Sequence, residues 1–399
     1  MKISIGLFFG GKSVEHEVSI ISALQALRNF DANKYDVTPV YIARNGYFYV
    51  GEKLRNIADF RDIPSLLTEC RRVIPTATES NRVELHGFPF TARLFGKSSK
   101  ALATIDIAFP IVHGTNVEDG ALQGYLQTLG LPIAGPGVCA AALGMDKYVQ
   151  KALYRAAGLP VLNAVKFTAR EFGLNQSAVS AQIESEVGYP LVVKPLNLGS
   201  SIGVKLANDR AELESAIEFA AEFCPVLLAE KAAVNPREIN CAVLGDRDFA
   251  KASECEEPLG LGDILSYDDK YSVGAKDGTK GMASLKRLLP APITPEQRTR
   301  IQDYAVRAFQ TLDCSGTARV DFLIDGVTEE IRVNEINTIP GSLSFYLWEA
   351  SGIKYPALLD EMVTLALKRA RETAEHSYEI KTGILSAFTG GSKTGKLKG

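Results

Sequence analysis

A lysine at the end of an apolar strand run stands out, because a buried ammonium group must be paired or put to use. Lys194 holds that place in VVKPLNLGSSIGV, and the Gly-Ser-Ser-x-Gly stretch after it can present backbone amides and hydroxyls to an anion. Further along, RVDF and NEIN supply Arg319, Asp321, Glu335 and Asn337. Side chains alternate along a strand, so Arg319 shares a face with Asp321, and Glu335 with Asn337. Three oxygen donors on adjacent strands form a hard-cation site suited to magnesium carrying nucleotide phosphates, and Arg319 beside them can stabilise an oxyanion. The plainer reading of the same four residues is a salt-bridged sheet surface. Glu230 and Lys231 close the run PVLLAEK, with Glu238 shortly after. A strand edge there can bond an adenine through its backbone while a carboxylate takes the ribose hydroxyls.

Positioning these groups takes more than one domain, and 399 residues make two or three at roughly 150 residues each. Residues 2–9 read as a buried strand, followed by a Gly10-Gly11 turn, an N-cap at Ser13 and a helix with Val18, Ile21 and Leu24 on one face. Strands at 37–43, 103–112 and 131–135, with a helix at 121–130, predict a parallel, doubly wound first unit ending near residue 135. Residues 45–100 are less regular and suit small hairpins. A helix at 146–157 opens a second unit with strand runs YPLVVKP, SIGVKLA and PVLLAEKAA. A third unit holds a helix at 295–312, strands TARVDFLID and EEIRVNEIN, and a long helix at 353–375. The Gly/Lys-rich tail from Gly390 suits a flexible end.

Composition excludes several classes. Apolar residues make up 46% and charged residues 23%, an ordinary globular mix, and the net charge of −3 gives no bulk attraction to nucleic acid or anionic lipid. No apolar run is long enough for a membrane span, and the N-terminus lacks a signal-peptide pattern. Six scattered cysteines without a CxxC pair suit reduced thiols in a cytoplasm, not a disulfide framework or a zinc site. Gly6 to Ser13 satisfies GxxxxGK[ST], yet Leu7, Phe8 and Phe9 belong in a strand interior, where no exposed cradle of amides can form. A second near match, Gly390 to Lys396, has no helix after it.

Taken together the residues resemble the ATP-grasp enzymes, and specifically the D-alanine–D-alanine ligase family. GGKSVEHEVS (10–19), HGTNVEDGALQG (113–124), AALGMDK (141–147), KPLNLGSSIGV (194–204), YDDKY (267–271), RVDF (319–322) and NEINTIPG (334–341) look like its motifs, in order. The resemblance implies an α/β and α+β architecture, with an N-terminal parallel α/β domain (1–135) and two α+β subdomains (136–240 and 241–385) clamping ATP. The tail 386–399 lies beyond them. It further implies that Lys147 and Lys194 hold ATP phosphates, with Ser200 and Ser201 in the loop over them. Glu230, Lys231 and Glu238 would contact adenine and ribose, and Asp321, Glu335 and Asn337 would bind two magnesium ions, with manganese as a substitute. Glu15 would pair with the ammonium of the first D-alanine, and His113 would lie near its carboxylate. Ser200 and Tyr271 would join Glu15 in a hydrogen-bonded latch, Lys270 would reach the transferring phosphate, and Arg319 with the Gly341 amide would form an oxyanion hole. The implied chemistry is ATP-driven formation of a D-alanyl phosphate, attacked by the amine of a second D-alanine to give a peptidoglycan precursor. We expect a cytoplasmic homodimer that acts on D-alanine and ATP.

Two stretches depart from the family's pattern. Val117 replaces a glycine in HGTNVEDG, so the loop must avoid positive φ there. The connection after Gly341 is shortened, which makes Ser342 and Ser344 no more than candidates for the second substrate's carboxylate and keeps D-serine open as an alternative second substrate. A P-loop switch using Lys12 and Ser13, and an ATP-grasp binding module without catalysis, are the readings of other classes.

Overall fold

The computed structural model describes residues 2–79, 82–88, 101–199, 202–259 and 286–377. Among them the first sheet has strands β1 (Ile3–Gly10), β2 (Tyr35–Ile42), β3 (Phe48–Val50), β4 (Arg71–Ala77), β5 (Val83–Gly87), β6 (Ala103–Ile105) and β7 (Ile107–Val112). Their order is β6-β5-β4-β3-β2-β1-β7. β1 pairs in parallel with β2 and β7 and is buried from Ile5 onward, which explains its unbroken apolar run. The expected all-parallel sheet is confined to these three strands. From β2 to β6 every neighbouring pair is antiparallel, and the short link from β2 to β3 leaves no room for the long crossover that parallel pairing needs. The hairpins expected in 45–100 therefore extend this sheet, and residues 131–135 contribute only one bridge, Ala108 to Ile133.

Two further sheets follow. β8 (Ala164–Thr168), β9 (Leu191–Pro195), β10 (Lys205–Ala207) and β11 (Val226–Lys231) form an antiparallel sheet ordered β10-β9-β11-β8. Helices Gln176–Glu186 and Arg210–Ala221 cover one face through Ile183, Leu213 and Ile217. β12 (Arg237–Gly245), β13 (Ala250–Pro258), β14 (Arg287–Leu288), β15 (Gly316–Ile324) and β16 (Ile331–Asn337) are ordered β14-β13-β12-β15-β16. The helix Pro295–Thr311, started by a Thr294–Gln297 capping box, packs Ile301, Ala305 and Phe309 against one face of that sheet. Cys241, Val243, Cys255, Val320, Phe322 and Ile336 fill the same core. Alternation then sends the residues between them to the opposite face. The closing helix Tyr355–Ala374 sets Leu358, Met362 and Val363 into the core of the first sheet, tying both ends of the chain together.

Candidate active site

Strand register lines up a row of polar side chains across the third sheet. Glu256 on β13 stands opposite Asn240 on β12, Asn240 opposite Asp321 on β15, and Asp321 opposite Glu335 on β16. All four line one cavity, together with Glu238, Arg319 and Asn337 of the same face. Arg319 grips Asp321 with two hydrogen bonds, Nε to Oδ1 at 2.6 Å and Nη2 to Oδ2 at 2.8 Å, and Asn337 Nδ2 donates to Oδ2 at 2.9 Å. Burial disfavours the Arg319 charge, but Asp321 outweighs it and holds the guanidinium well above its usual pKa. Two carboxylates and a carboxamide are the oxygen donors a hard dication prefers. Among the described residues no group of three or more His, Cys, Asp or Glu side chains could hold a metal. Asp321, Glu335 and Asn337 offer three side chains with oxygen donors, which suits an ion whose other ligands come from elsewhere.

Lysines flank this row. Asp146 caps the helix Lys147–Ala156 by accepting from the amides of Tyr148 and Val149, which places Lys147 and Lys151 one turn apart on one face. Lys147 Nζ lies 3.5 Å from Glu335 and donates to the Leu198 carbonyl at 2.8 Å, so it spans the gap between the second and third sheets. Behind it, Glu230 is buried between two ammonium groups, Lys151 at 3.0 Å and Lys194 at 2.7 Å. Burial pushes the Glu230 carboxyl up, but the two lysines pull it down further, so its pKa falls below the ordinary value. Glu230 and Glu335 raise Lys194 against its burial, whereas burial and the repulsion of Lys194 lower the deeper Lys151. Lys151 also donates to the Asn334 carbonyl at 3.0 Å, anchoring Glu230 of β11 to β16.

The first domain closes the cavity from the other side. Glu15 precedes the helix His16–Leu27 and is buried against two glycines. A Cβ at Gly114 would lie 2.9 Å from a Glu15 carboxylate oxygen, as would one at Gly199, so only glycine lets both loops reach it. Val117 avoids positive φ as expected; the left-handed residues of its loop are Gly114, Asn116 and Gly120, and Val117 packs over Gly11. His113 is hydrogen-bonded to the Ser22 hydroxyl at 3.2 Å, and that hydroxyl accepts from the Ser342 amide at 2.9 Å. Burial lowers His113 to a pKa of about 4, which leaves it neutral near pH 7.

Glu118 bridges the loop after β7 and the connection after β16. It accepts from the Gly114 amide at 2.9 Å and the Ile339 amide at 3.1 Å. Burial, with the charge of Glu15, raises its carboxyl to about 8 against the pull of those amides and of Lys147. The folded state therefore holds a proton that the unfolded chain releases near 4.5, and this stability is lost as pH rises through 8. His113 acts in the opposite sense, contributing stability above 6.5 that is lost as pH falls through 4. Above pH 6.5 only Glu118 still changes: wild type should lose about 1.4 kcal/mol per pH unit up to pH 8 relative to Glu118→Gln. Denaturant melts of both proteins at several pH values check this.

Of the residues expected from sequence, Glu15, His113, Lys147, Glu238, Arg319, Asp321, Glu335, Asn337 and Gly341 line the one cavity. Lys194 and Glu230 stand behind it as the buried pair, and Lys231 donates to the Tyr189 carbonyl at 2.5 Å. Ser342 and Ser344 depart from expectation. Both are buried and neither lines the cavity. The short connection turns through three successive left-handed residues, Ser342 (φ 53°), Leu343 (φ 54°) and Ser344 (φ 50°), a strain of about 1–2 kcal/mol each. Ser200, Ser201, Lys270, Tyr271 and the tail lie outside the described residues.

Lys151, Glu118, Asn240, Glu256 and Arg287 belong to the site or its support and were not singled out from sequence. Lys151 had a signal, its spacing of four from Lys147, and Asn240 shares the strand alternation of Glu238. The P-loop reading fails because the backbone of 6–10 is paired on both sides in β1, and a Cβ at Gly6 would lie 2.6 Å from Ile105. Lys12→Ala should accordingly leave nucleotide affinity unchanged, whereas Lys194→Ala should weaken it by at least about tenfold, the scale of one charge-assisted hydrogen bond. Calorimetric titration with MgATP checks both.

The family model for the D-ala D-ala ligase N-terminus matches residues 4–136, and that for the D-ala D-ala ligase C-terminus matches residues 153–364. The D-alanine–D-alanine ligase of Thermosipho melanesiensis is 36% identical over 388 residues, covering 97% of this chain and 99% of the relative. That of Ruminiclostridium cellulolyticum is 39% identical over 386 residues, covering 93% and 97%. Among solved structures, the D-alanine-D-alanine ligase from Coxiella burnetii is similar with a TM-score of 0.75 at 29% identity, covering 97% of this chain and 98% of its own. The VanG D-Ala:D-Ser ligase from Enterococcus faecalis gives a TM-score of 0.74 at 31% identity, covering 92% and 100%.

Proposed function

The chain belongs to the D-alanine–D-alanine ligase family, ATP-dependent ligases of the ATP-grasp fold, and from that premise we propose that it joins two D-alanine molecules into the dipeptide used for peptidoglycan. One observation carries the reading at the level of the site: the row Glu256–Asn240–Asp321–Glu335 shares its cavity with Lys147 and faces Glu15 across it.

In this reading the γ-phosphate of ATP passes to the carboxylate of the first D-alanine, giving D-alanyl phosphate and ADP. The free amine of the second then attacks the acyl carbon, and the tetrahedral oxyanion collapses as phosphate leaves and takes up the proton lost by the amine. Phosphoryl transfer depends mostly on positioning and charge neutralisation. Lys147 and Lys194 hold the phosphates, Glu238 takes the ribose, and the strand edge at Glu230 and Lys231 takes the adenine. Asp321, Glu335 and Asn337 would hold two magnesium ions, which would neutralise the triphosphate. Glu15 receives the ammonium of the first D-alanine, and neutral His113 lies by its carboxylate without adding charge. Arg319 and the Gly341 amide stabilise the oxyanion. Ser200, Tyr271 and Lys270 complete the proposal as latch and phosphate contact. The limit expected at 240 falls inside β12 of the third sheet, so we place it in the connection 232–236. We further propose a domain limit at 135, a homodimer and a cytoplasmic site of action; among the described residues no helix is long and apolar enough to cross a membrane.

Incubation with MgATP and D-alanine should release one phosphate for each dipeptide formed. Absence of D-alanine-dependent phosphate would sink the proposal. A second reading keeps the chemistry with D-serine as acceptor. It is favoured by the likeness to the D-Ala:D-Ser ligase and by the burial of Ser342 and Ser344 away from the cavity. Mixed D-alanine and D-serine, with the products separated, decides between them.

A further inference from the structure

The second amino acid enters as a zwitterion. Its amine must reach the carbon beside Arg319 and the Gly341 amide, so its carboxylate comes to rest in the same cavity, a few ångströms away. A carboxylate taken out of water needs a cation or several N–H donors. Ser342 and Ser344 do not line the cavity, which turns attention to the cations on its wall.

Three cations line the cavity among the described residues: Lys147, Arg319 and Arg287. Lys147 stands at Glu335, the end of the polar row assigned to phosphate, and Arg319 is doubly bound to Asp321. Arg287 stands at the opposite end. It lies on β14 opposite Pro258, two residues from Glu256 and on the same face. Its side chain is only 11% exposed and donates from Nη1 to Glu256 Oε2 at 2.6 Å. The guanidinium plane lies 3.8 Å over the ring of Tyr346, whose hydroxyl donates to the other Glu256 oxygen at 3.0 Å. Asn240 Nδ2 reaches that oxygen at 3.4 Å. Arg287 is thus held in one orientation by a buried carboxylate and an aromatic face, the preorganisation a recognition group requires.

On the function proposed above, we infer that Arg287, braced by Glu256 and Tyr346, receives the α-carboxylate of the amino acid that attacks the acyl phosphate. A guanidinium carries N–H donors on three nitrogens in a fork that matches a carboxylate, so it can serve Glu256 and a ligand carboxylate together. The polar row then has a direction, with phosphate and metals at its β16 end and the acceptor acid at its β13–β14 end. Arg319 lies between them, where the two reactants meet.

The test lets two acceptors compete for one acyl phosphate. D-Alanine supplies the donor, and D-alanine and D-alaninamide at equal concentration compete as acceptors. The products are the dipeptide and the dipeptide amide. Their ratio reports acceptor choice alone, independent of the first step and of the folded fraction. Arg287→Gln should lower the ratio of dipeptide to dipeptide amide by at least about tenfold relative to wild type, the size of one charge-assisted hydrogen bond. Because this variant strands the buried Glu256 carboxylate, the neutral pair E256Q/R287Q is measured beside it and should show the same fall. A wild-type ratio in either variant, with both products slowed alike, means that Arg287 only supports the fold and overturns the inference. Wild-type protein that makes neither product removes the ligase reading itself, a result distinct from the first.

Discussion

Glu335→Gln is expected to lower kcat by about a hundredfold to a thousandfold, the loss seen when one preorganised charge-stabilising group is removed. Glu335 sits at the end of the polar row opposite Asp321, on β16, and lies 3.5 Å from Lys147. The substitution keeps the shape and one acceptor oxygen but removes a full negative charge from a set holding only two carboxylates, Asp321 and Glu335. A dication bound there loses its Coulombic partner, and Lys147 loses its counter-ion. The side chain is 23% exposed, so water can solvate the amide and the fold should survive. A thermal midpoint close to wild type, with turnover nearly gone, is the expected pair of results. Partial recovery at high manganese would place the loss in metal affinity. Turnover within about threefold of wild type, well short of that charge-stabilisation scale, would remove Glu335 from the reaction.

Glu230→Ala should act on stability. Glu230 is 3% exposed and balances both Lys151 and Lys194. Removing it leaves two ammonium groups facing each other with little water, and breaking a buried pair in this way costs about 3–5 kcal/mol. Lys194, whose pKa Glu230 helps to raise, would then be lowered by burial and by Lys151. A nucleotide phosphate can take the missing carboxylate's place. MgATP should therefore raise the thermal midpoint of the variant more than that of wild type. Scanning calorimetry with and without nucleotide reads both effects; an unchanged midpoint would mean that the lysines are solvated and the pair is incidental.

What could be read from sequence follows from the range of each physical signal. Alternation along RVDF and NEIN is local, so a shared face for Arg319 with Asp321, and for Glu335 with Asn337, was legible. Their alignment with Asn240 and Glu256 depends on the register of strands far apart in the chain, which no local pattern carries. Arg287 was hidden for the same reason, on a strand of two residues. Lys151 carried a helical spacing that went unused, and Glu118 lay in a quoted motif whose value lies in bonding an amide over 200 residues away, at Ile339. In the first sheet β1 and β7 announced themselves by nearly continuous burial, whereas the alternating or partial burial of β3 to β6 carries no sign of strand direction. The left-handed run at 342–344 was illegible, because serine and leucine rarely adopt it and tertiary contacts, among them the packing of Leu343 and the bond from the Ser342 amide to Ser22, help hold it there.

The central claim is that the polar face of the third sheet, between Lys147 and Arg319, is where metal-bound nucleotide meets the amino acid. Anomalous diffraction from crystals grown with manganese and ADP tests it most directly. The account predicts manganese peaks within coordinating distance of Asp321 and Glu335, with the diphosphate running toward Lys147 and Lys194. Manganese or nucleotide bound instead at the Gly10-Gly11-Lys12 turn, with Asp321 still held only by Arg319 and Asn337, would contradict it.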